Sequence, residues 1–343
     1  MYNQIFHGEN DLSKSSFLVT GGAGFIGSNL VEYLIKYGAG KVRVLDNFST
    51  GFEDNIEPFY KYKNFELIKG DIRDKDICQK SMVGIDYVFH QAALGSVPRS
   101  IEDPATTNDV NISGFLNVLV AARDAGVKRV VYAASSSTYG DSKNMPKIED
   151  VIGRPLSPYA VTKFVNELYA DVFSKTYNME LIGLRYFNVF GPRQSTDGAY
   201  AAVIPKFIKA LLQRQSPVIN GDGSVTRDFT YIENIVQINL RSVFTNNPLA
   251  INQVFNAACG QRISLLQLLD QIKDQLSISD PDAKLIDAIF KPVRIGDIPD
   301  SLASIDKAQD LLGYAPEFSA AQGIRKAVDW YADQEHKNHQ VER

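Results

Sequence analysis

The chain has 343 residues, 44% of them apolar and 22% charged, with a formal net charge of −4. This length exceeds one small core and points to two domains, or to one large α/β unit with an elaborated end. The charge gives no footing to nucleic acid or an anionic membrane as partner. No run of about 18 apolar residues argues for a membrane span.

Hydrophobic periodicity predicts strands at 16–20, 42–46, 65–68, 87–90 and 129–134 and a further one at 181–186. Helices are expected at 26–37, where Gly38 stops the pattern, at 103–125 and at 158–177. Strands alternating with helices predict a Rossmann-like, doubly wound parallel sheet with helices on both faces. After Gly191-Pro192 the alternation loosens. Helices at 204–213, 232–245, 265–276 and 320–331, with short β segments at 217–220, 227–231 and 254–258, predict a smaller α+β region. The expected division is 1–190 for the first domain and 191–343 mainly for the second, with some interleaving. The last dozen residues are polar and expected to fray. Residues 1–14 are polar, with no leader pattern, and Cys78 and Cys259 lie far apart. Both features suit a reducing, cytoplasmic setting. His336 and His339 sit in the polar tail and read as solvated surface, so no metal is expected.

The strand ends carry the chemistry. Gly21, Gly24 and Gly27 follow the first strand and open the first helix. Their spacing permits a tight turn, close approach of a phosphate to backbone, and close helix-on-strand packing at a helix N-terminus. Asp46 ends the second strand, where a carboxylate can accept hydrogen bonds from both ribose hydroxyls and repel a 2′-phosphate, so the pattern predicts NAD rather than NADP. Lys41 and Arg43 precede Asp46 and are expected to face solvent. Asp71 ends the third strand and can bond an adenine amino group, with Ile72 packed on the ring, or cap the following helix, and the two roles can coexist. His90 reads as structural. Gln91-Ala92-Ala93 is small enough for a cofactor to lie against the backbone.

Ser135, Ser136 and Ser137 end the fifth strand, and hydroxyls there need partners. Ser157 and Pro158 are a good cap and first residue for the helix that carries Tyr159 and Lys163, four residues apart on one face. A phenol is a poor base at neutral pH, and a nearby cation is expected to lower its pKa, which makes Tyr159 a candidate proton-transferring group.

Together these features resemble the extended short-chain dehydrogenase/reductase family, and within it the UDP-hexose 4-epimerases of the branch acting on N-acetylated sugars. Further motifs carry that resemblance: Leu184-Arg185-Tyr186-Phe187-Asn188-Val189-Phe190-Gly191-Pro192, Arg227-Asp228-Phe229-Thr230-Tyr231-Ile232 and Arg294-Ile295-Gly296-Asp297. The resemblance covers nearly the whole chain. It implies Ser135, Tyr159 and Lys163 as the catalytic trio. It implies NAD contacts from Phe25, Ile26, Asn47, Ser49, Thr50, Gly51, Asn111, Tyr186 and Val189 besides those above. For a UDP-sugar it implies Arg227 and Arg294 as pyrophosphate anchors, Asn188 and Lys206 as further contacts, and Gly95, Ser96, Ser135, Ser136, Ser137, Tyr159, Ala202, Val203, Asp297 and Ser301 about the ligand.

Relatives restricted to unacetylated sugars often carry Tyr where this chain has Ser301, and a small residue there leaves room for an N-acetyl group. The implied reaction interconverts UDP-N-acetylglucosamine and UDP-N-acetylgalactosamine, or their uronic acids, by transient oxidation to a 4-keto sugar. The resemblance also implies a homodimer through the helices after the fourth and fifth strands. A nucleotide-sugar dehydratase or decarboxylase, and a non-catalytic NAD-binding regulator, remain alternatives. The run Ser135-Ser136-Ser137 lacks the acidic pair of the dehydratases, and a sensor would have no need of the trio.

Overall fold

The computed structural model describes residues 2–196, 201–293 and 300–341. In chain order the elements are β1 (Ser16–Thr20), α1 (Phe25–Lys36), β2 (Lys41–Asp46), β3 (Phe65–Lys69), α2 (Lys75–Met82), β4 (Tyr87–His90), α3 (Val97–Glu102), α4 (Pro104–Asn108), α5 (Phe115–Asp124), β5 (Arg129–Ser135), α6 (Pro158–Tyr177), β6 (Leu181–Tyr186) and β7 (Val189–Phe190). There follow α7 (Val203–Leu212), β8 (Val218–Asn220), β9 (Thr226–Arg227), β10 (Thr230–Tyr231), α8 (Ile232–Phe244), β11 (Val254–Ala257), β12 (Ile263–Ser264), α9 (Leu265–Leu276), β13 (Ile289–Lys291), α10 (Asp306–Leu312) and α11 (Ala320–Val341).

A seven-stranded sheet runs β11-β6-β5-β4-β1-β2-β3, every pair parallel. Its strands are near-continuous apolar runs because both faces are covered. Helices α1 and α8 pack together on one face, and α2, α5 and α6 on the other. Helices α7, α9 and α11 pack mutually beyond them, and their apolar faces continue the core under α1 and α8. Short two-stranded sheets, β7 with β10, β9 with β12 and β8 with β13, complete the smaller region.

Several sequence expectations shift. The segment 254–257 is not part of the smaller region: it pairs with β6 as an edge strand of the main sheet. Arg43 does not face solvent. It is buried, donating to the carbonyls of Ser81 and Val83 at 2.8 Å each and to Glu66. A sheet covered on both sides has no solvent face, so the guanidinium takes up carbonyls at the end of α2 instead. The helix expected at 103–125 is interrupted by a π-helical turn, Asp109–Gly114, between α4 and α5. Helix α11 runs ten residues beyond the expected 331, through a polar stretch rich in good helix formers, and of the polar tail only residues 342–343 lie outside the described part.

Beneath the sheet edge, Arg185 of β6 and Glu167 of α6 form a buried two-pronged ion pair, with Nε to Oε1 at 2.9 Å and Nη2 to Oε2 at 2.7 Å. Arg185 also donates to the Glu149 carbonyl and stacks on Tyr139, its guanidinium 4.8 Å from the ring centroid. Removing one partner leaves an uncompensated buried charge. Arg185→Ala should therefore cost about 3–5 kcal/mol in unfolding free energy. Urea denaturation measures this, and a loss below about 1 kcal/mol, the level of an exposed pair, would show that the pair contributes little.

Candidate active site

The strand order reverses direction about β1, between β4 and β2, and in such sheets ligands sit outside the carboxyl ends at that switch. A cleft opens there. Its walls follow the strand ends in turn: Gly21, Gly24, Phe25, Ile26 and Gly27 after β1; Asp46, Asn47, Ser49, Thr50 and Gly51 after β2; Asp71 and Ile72 after β3; Gln91, Ala92, Ala93 and Gly95 after β4; Ser135 from β5; Tyr159 and Lys163 from α6; Tyr186 from β6.

The glycine turn has the geometry a pyrophosphate needs. Gly21 has φ +69°, and a Cβ on it would meet the Ala92 nitrogen at 2.7 Å. A Cβ on Gly27 would lie 2.1 Å from the Gly21 carbonyl oxygen, so only glycine lets α1 sit this close to β1. Gly24 is the N-cap of α1 and offers no side-chain cap, which leaves the helix N–H groups to a ligand. Asp46 is buried and accepts from the amides of Ala23 at 2.9 Å and Phe48 at 2.8 Å. Burial pushes its pKa up, against these backbone donors. Asp71 is gripped by Arg73 and by Asn47 Nδ2 at 2.7 Å, and Arg73 first of all holds its pKa down at about 2. The capping role falls instead to Asp74, which accepts from the Asp76 and Ile77 amides. These residues fit NAD.

On the reacting side, Ser157 caps α6 by accepting from the Ala160 amide at 3.1 Å and so fixes the turn that carries Tyr159. The Ser135 hydroxyl accepts from the amide and hydroxyl of Ser137 at 3.1 and 2.8 Å. It thereby caps the short turn Ser136–Tyr139 while it lines the cleft. Lys163 is buried and donates to the Ala133 carbonyl at 2.8 Å. Burial pushes its pKa down to about 8, and Glu167, one turn along, opposes that shift.

The expectation that a neighbouring cation lowers the Tyr159 pKa is not met by the protein alone. Burial raises it, with the hydrogen bond to Ser135 opposing, and the lysine ammonium is turned to a carbonyl. His90 is buried against Thr20 Oγ1 at 2.8 Å, and burial takes its pKa down to about 3, so it stays neutral and structural.

Some sequence-predicted residues do not line this cleft. Asn111, in the π-helical turn, accepts from the Leu94 amide at 2.8 Å and donates to Thr162 Oγ1 at 3.1 Å. Its side chain thus holds the wall together and does not line the cleft. Ser96 caps α3 by accepting from Arg99 N. Val189 pairs in the small β7–β10 sheet, and Ser136 and Ser137 belong to the turn that Ser135 caps.

A second groove is lined by Asn188, Val203, Lys206, Phe207, Val218, Arg227 and Lys291. Ala202 occupies the N-cap position of α7, without a side-chain cap. Asn188, with φ +34°, donates to the Asp228 carbonyl at 3.0 Å and to Ser301 Oγ at 3.4 Å. Arg294 and Asp297 lie outside the described residues. Asp228 escaped the sequence reading except as a motif letter. Its carboxylate accepts from the amides of Cys259, Gly260 and Ala303 at 3.1–3.2 Å, tying the segment after β11 to the loop that carries Ser301. Both cysteines are free and buried, and burial raises the Cys78 pKa to about 12 and the Cys259 pKa to about 11. Among the described residues there is no metal-holding cluster, and no helix is long and apolar enough to cross a membrane.

The model of the NAD dependent epimerase/dehydratase family matches residues 17–258. The chain is 37% identical over 315 residues to a putative UDP-glucose 4-epimerase of Methanocaldococcus jannaschii, a match covering 91% of this chain and 97% of that one. Among solved structures it resembles the UDP-N-acetylglucosamine 4-epimerase from Methanobrevibacter ruminantium, in complex with UDP-N-acetylmuramic acid, at 40% identity and a TM-score of 0.86, covering 93% and 99% of the two chains. It also resembles the UDP-glucuronic acid 4-epimerase from Bacillus cereus, in complex with UDP-glucuronic acid and NAD, at 30% identity and a TM-score of 0.84, covering 93% and 99%. The chain belongs to the NAD dependent epimerase/dehydratase family, and within it to the NAD-using nucleotide-sugar 4-epimerases.

Two outcomes follow from this site. NAD should co-purify with the protein, and Asp46→Ala should weaken its retention; finding NADP in the denatured supernatant of the wild-type protein would overturn the assignment of Asp46. Tyr159→Phe keeps the ring and its packing but removes the oxygen, so turnover should fall by about 10²–10⁴-fold with the fold intact. A variant retaining more than half of the wild-type rate removes Tyr159 from the mechanism.

Proposed function

We propose that the protein interconverts UDP-N-acetylglucosamine and UDP-N-acetylgalactosamine at C4. The observation that carries this reading is Ser301: a small side chain within hydrogen-bond reach of Asn188, on the stretch of chain that leads from Tyr186 in the first cleft to the second groove. A small residue there supports room for an N-acetyl group. The Methanobrevibacter relative, whose structure holds a UDP-sugar bulkier than glucose, points the same way.

Tyr159 takes the proton from the sugar 4-oxygen and later returns it, and Ser135 relays between that oxygen and the phenol. Lys163, kept charged below about pH 8 with Glu167 behind it, favours the phenolate once substrate and cofactor fill the cleft. NAD, when bound in the first cleft, would supply a reversible two-electron acceptor for the C4 hydride. Arg227 and Lys206 line the groove that would hold the UDP end, and Arg294 follows in sequence as a second guanidinium suited to a pyrophosphate. With the UDP anchored, the intermediate can turn without leaving.

A homodimer is part of the proposal. Val161, Leu168 and Val172 stand 47%, 50% and 52% exposed along one face of α6, and Ile101 of α3 is 64% exposed, as a helix-packed subunit interface would require.

The test of the substrate is Ser301→Tyr. A phenol ring overfills a close-packed site at a typical cost of about 1–3 kcal/mol, roughly a tenfold to hundredfold loss of kcat/KM against acetylated sugars. UDP-glucose and UDP-galactose, which do not reach that wall, should lose less. Equal loss for both classes would mean that Ser301 is not the size gate.

A further inference from the structure

Three polar side chains from three separate elements meet at the reacting end of the first cleft. Gln91 follows β4, Tyr186 ends β6, and Asn239 lies in the middle of α8, fully buried and outside every motif the sequence displays. Tyr186 is the register partner of Ser135, so this cluster stands beside the catalytic strand end, on the opposite side of the switch point from Asp46 and Asp71.

The hydrogen bonds among them close a ring. Asn239 Nδ2 donates to the Tyr186 hydroxyl at 3.0 Å, the hydroxyl donates to Gln91 Oε1 at 3.1 Å, and Gln91 Nε2 donates to Asn239 Oδ1 at 3.5 Å. The direction of the ring is set from outside it. Asn239 Nδ2 also donates to the Ile235 carbonyl of its own helix at 2.8 Å, which accepts only from the nitrogen and so pins the amide. With that amide pinned, Asn239 Oδ1 faces Gln91 and requires its NH₂. The Tyr186 hydroxyl oxygen lies 3.3 Å from Asn239 Oδ1 as well, but its single proton is then needed at Gln91 Oε1. Tyr186 and Gln91 line the cleft, whereas Asn239 does not.

We propose that Asn239 is a positioning residue for the dinucleotide: through this ring it fixes the Tyr186 and Gln91 side chains in the cleft wall and thereby sets how firmly NAD is retained. Burial keeps the Tyr186 phenol protonated, so its hydroxyl remains a donor throughout the working pH range. Tyr186 cannot present another face to the cleft without leaving an Asn239 Nδ2 hydrogen unpaired, and Gln91 can do so only by giving up its bonds to both partners, the Tyr186 hydroxyl then turning to Asn239 Oδ1. Retention matters here because an enzyme that oxidises and re-reduces its substrate in place fails whenever the reduced cofactor escapes.

The test compares wild type with Asn239→Leu, which removes both arms, and Asn239→Asp, which keeps the shape but loses the donor that Ile235 and Tyr186 use. The release of NAD from the purified proteins is followed in a coupled dehydrogenase assay, and their melting temperatures are recorded alongside. Both variants should lose NAD about tenfold faster, the scale of one or two net hydrogen bonds. Tyr186→Phe should show a loss of similar size, and the double variant Tyr186→Phe with Asn239→Leu no further loss, because one ring is being broken twice. Should Asn239→Leu fail to fold, the shape-conserving Asn239→Asp decides. Wild-type NAD release with only a lowered melting temperature would reduce Asn239 to a structural role and overturn the proposal. Multiplicative losses in the double variant would overturn it as well.

Discussion

A phenol packed into a cleft wall resists ionisation, and the groups nearest Tyr159 and Lys163 bear on that resistance. Burial alone raises the Tyr159 pKa, and the same burial drives Lys163 towards neutrality. What opposes both trends is local and fixed: the Ser135 hydroxyl at the phenol and Glu167 one turn beyond the lysine. Glu167 is itself held by Arg185 from the neighbouring strand, which is tied in turn to Glu149 and Tyr139. The carboxylate beside the lysine is therefore anchored in the main sheet, where a change in packing would be felt at Lys163 and Tyr159.

Around this centre the chain separates firmness from permissiveness. The glycine turn leaves no room for a Cβ at Gly21 or Gly27, and Asp46 is fixed by two backbone amides before any ligand arrives. The ring of Gln91, Tyr186 and Asn239 closes the other side of the cleft. The loop of Ser301 is held differently, by the buried Asp228 carboxylate, which also reaches Cys259 and Gly260. That arrangement keeps the loop in place through its backbone and leaves the choice of side chain facing Asn188 open.

Much of the cofactor side was legible in the sequence because it rests on short-range rules. Glycine spacing, a carboxylate ending the next strand, and a serine cap before Pro158 are written within a few residues of each other. Strand β4, helix α6 and strand β6 fall where periodicity puts them. Features that depend on distant partners were not legible. Arg43 looked solvent-facing because its acceptors, the carbonyls of Ser81 and Val83, are supplied by another helix. The 254–257 strand looked like part of the smaller region because its partner, β6, lies some seventy residues earlier. Asn239 carries no local signal at all, since nothing about an asparagine within an amphipathic helix announces a ring closed by side chains from two strand ends. The π-helical turn that carries Asn111 had no local signal either, and the partners of that side chain, Leu94 and Thr162, lie on other segments.

The central claim, that this cleft turns an N-acetylated UDP-sugar over at C4 with its own NAD, is tested most directly by following the C4 hydrogen. UDP-N-acetylglucosamine carrying deuterium at C4 is incubated with the protein, without added coenzyme, and the mixture is read by NMR and mass spectrometry. The account predicts UDP-N-acetylgalactosamine with the deuterium retained at C4, because the hydrogen removed is the one returned. Absence of that product, or a product whose C4 label has been lost to solvent, would contradict it.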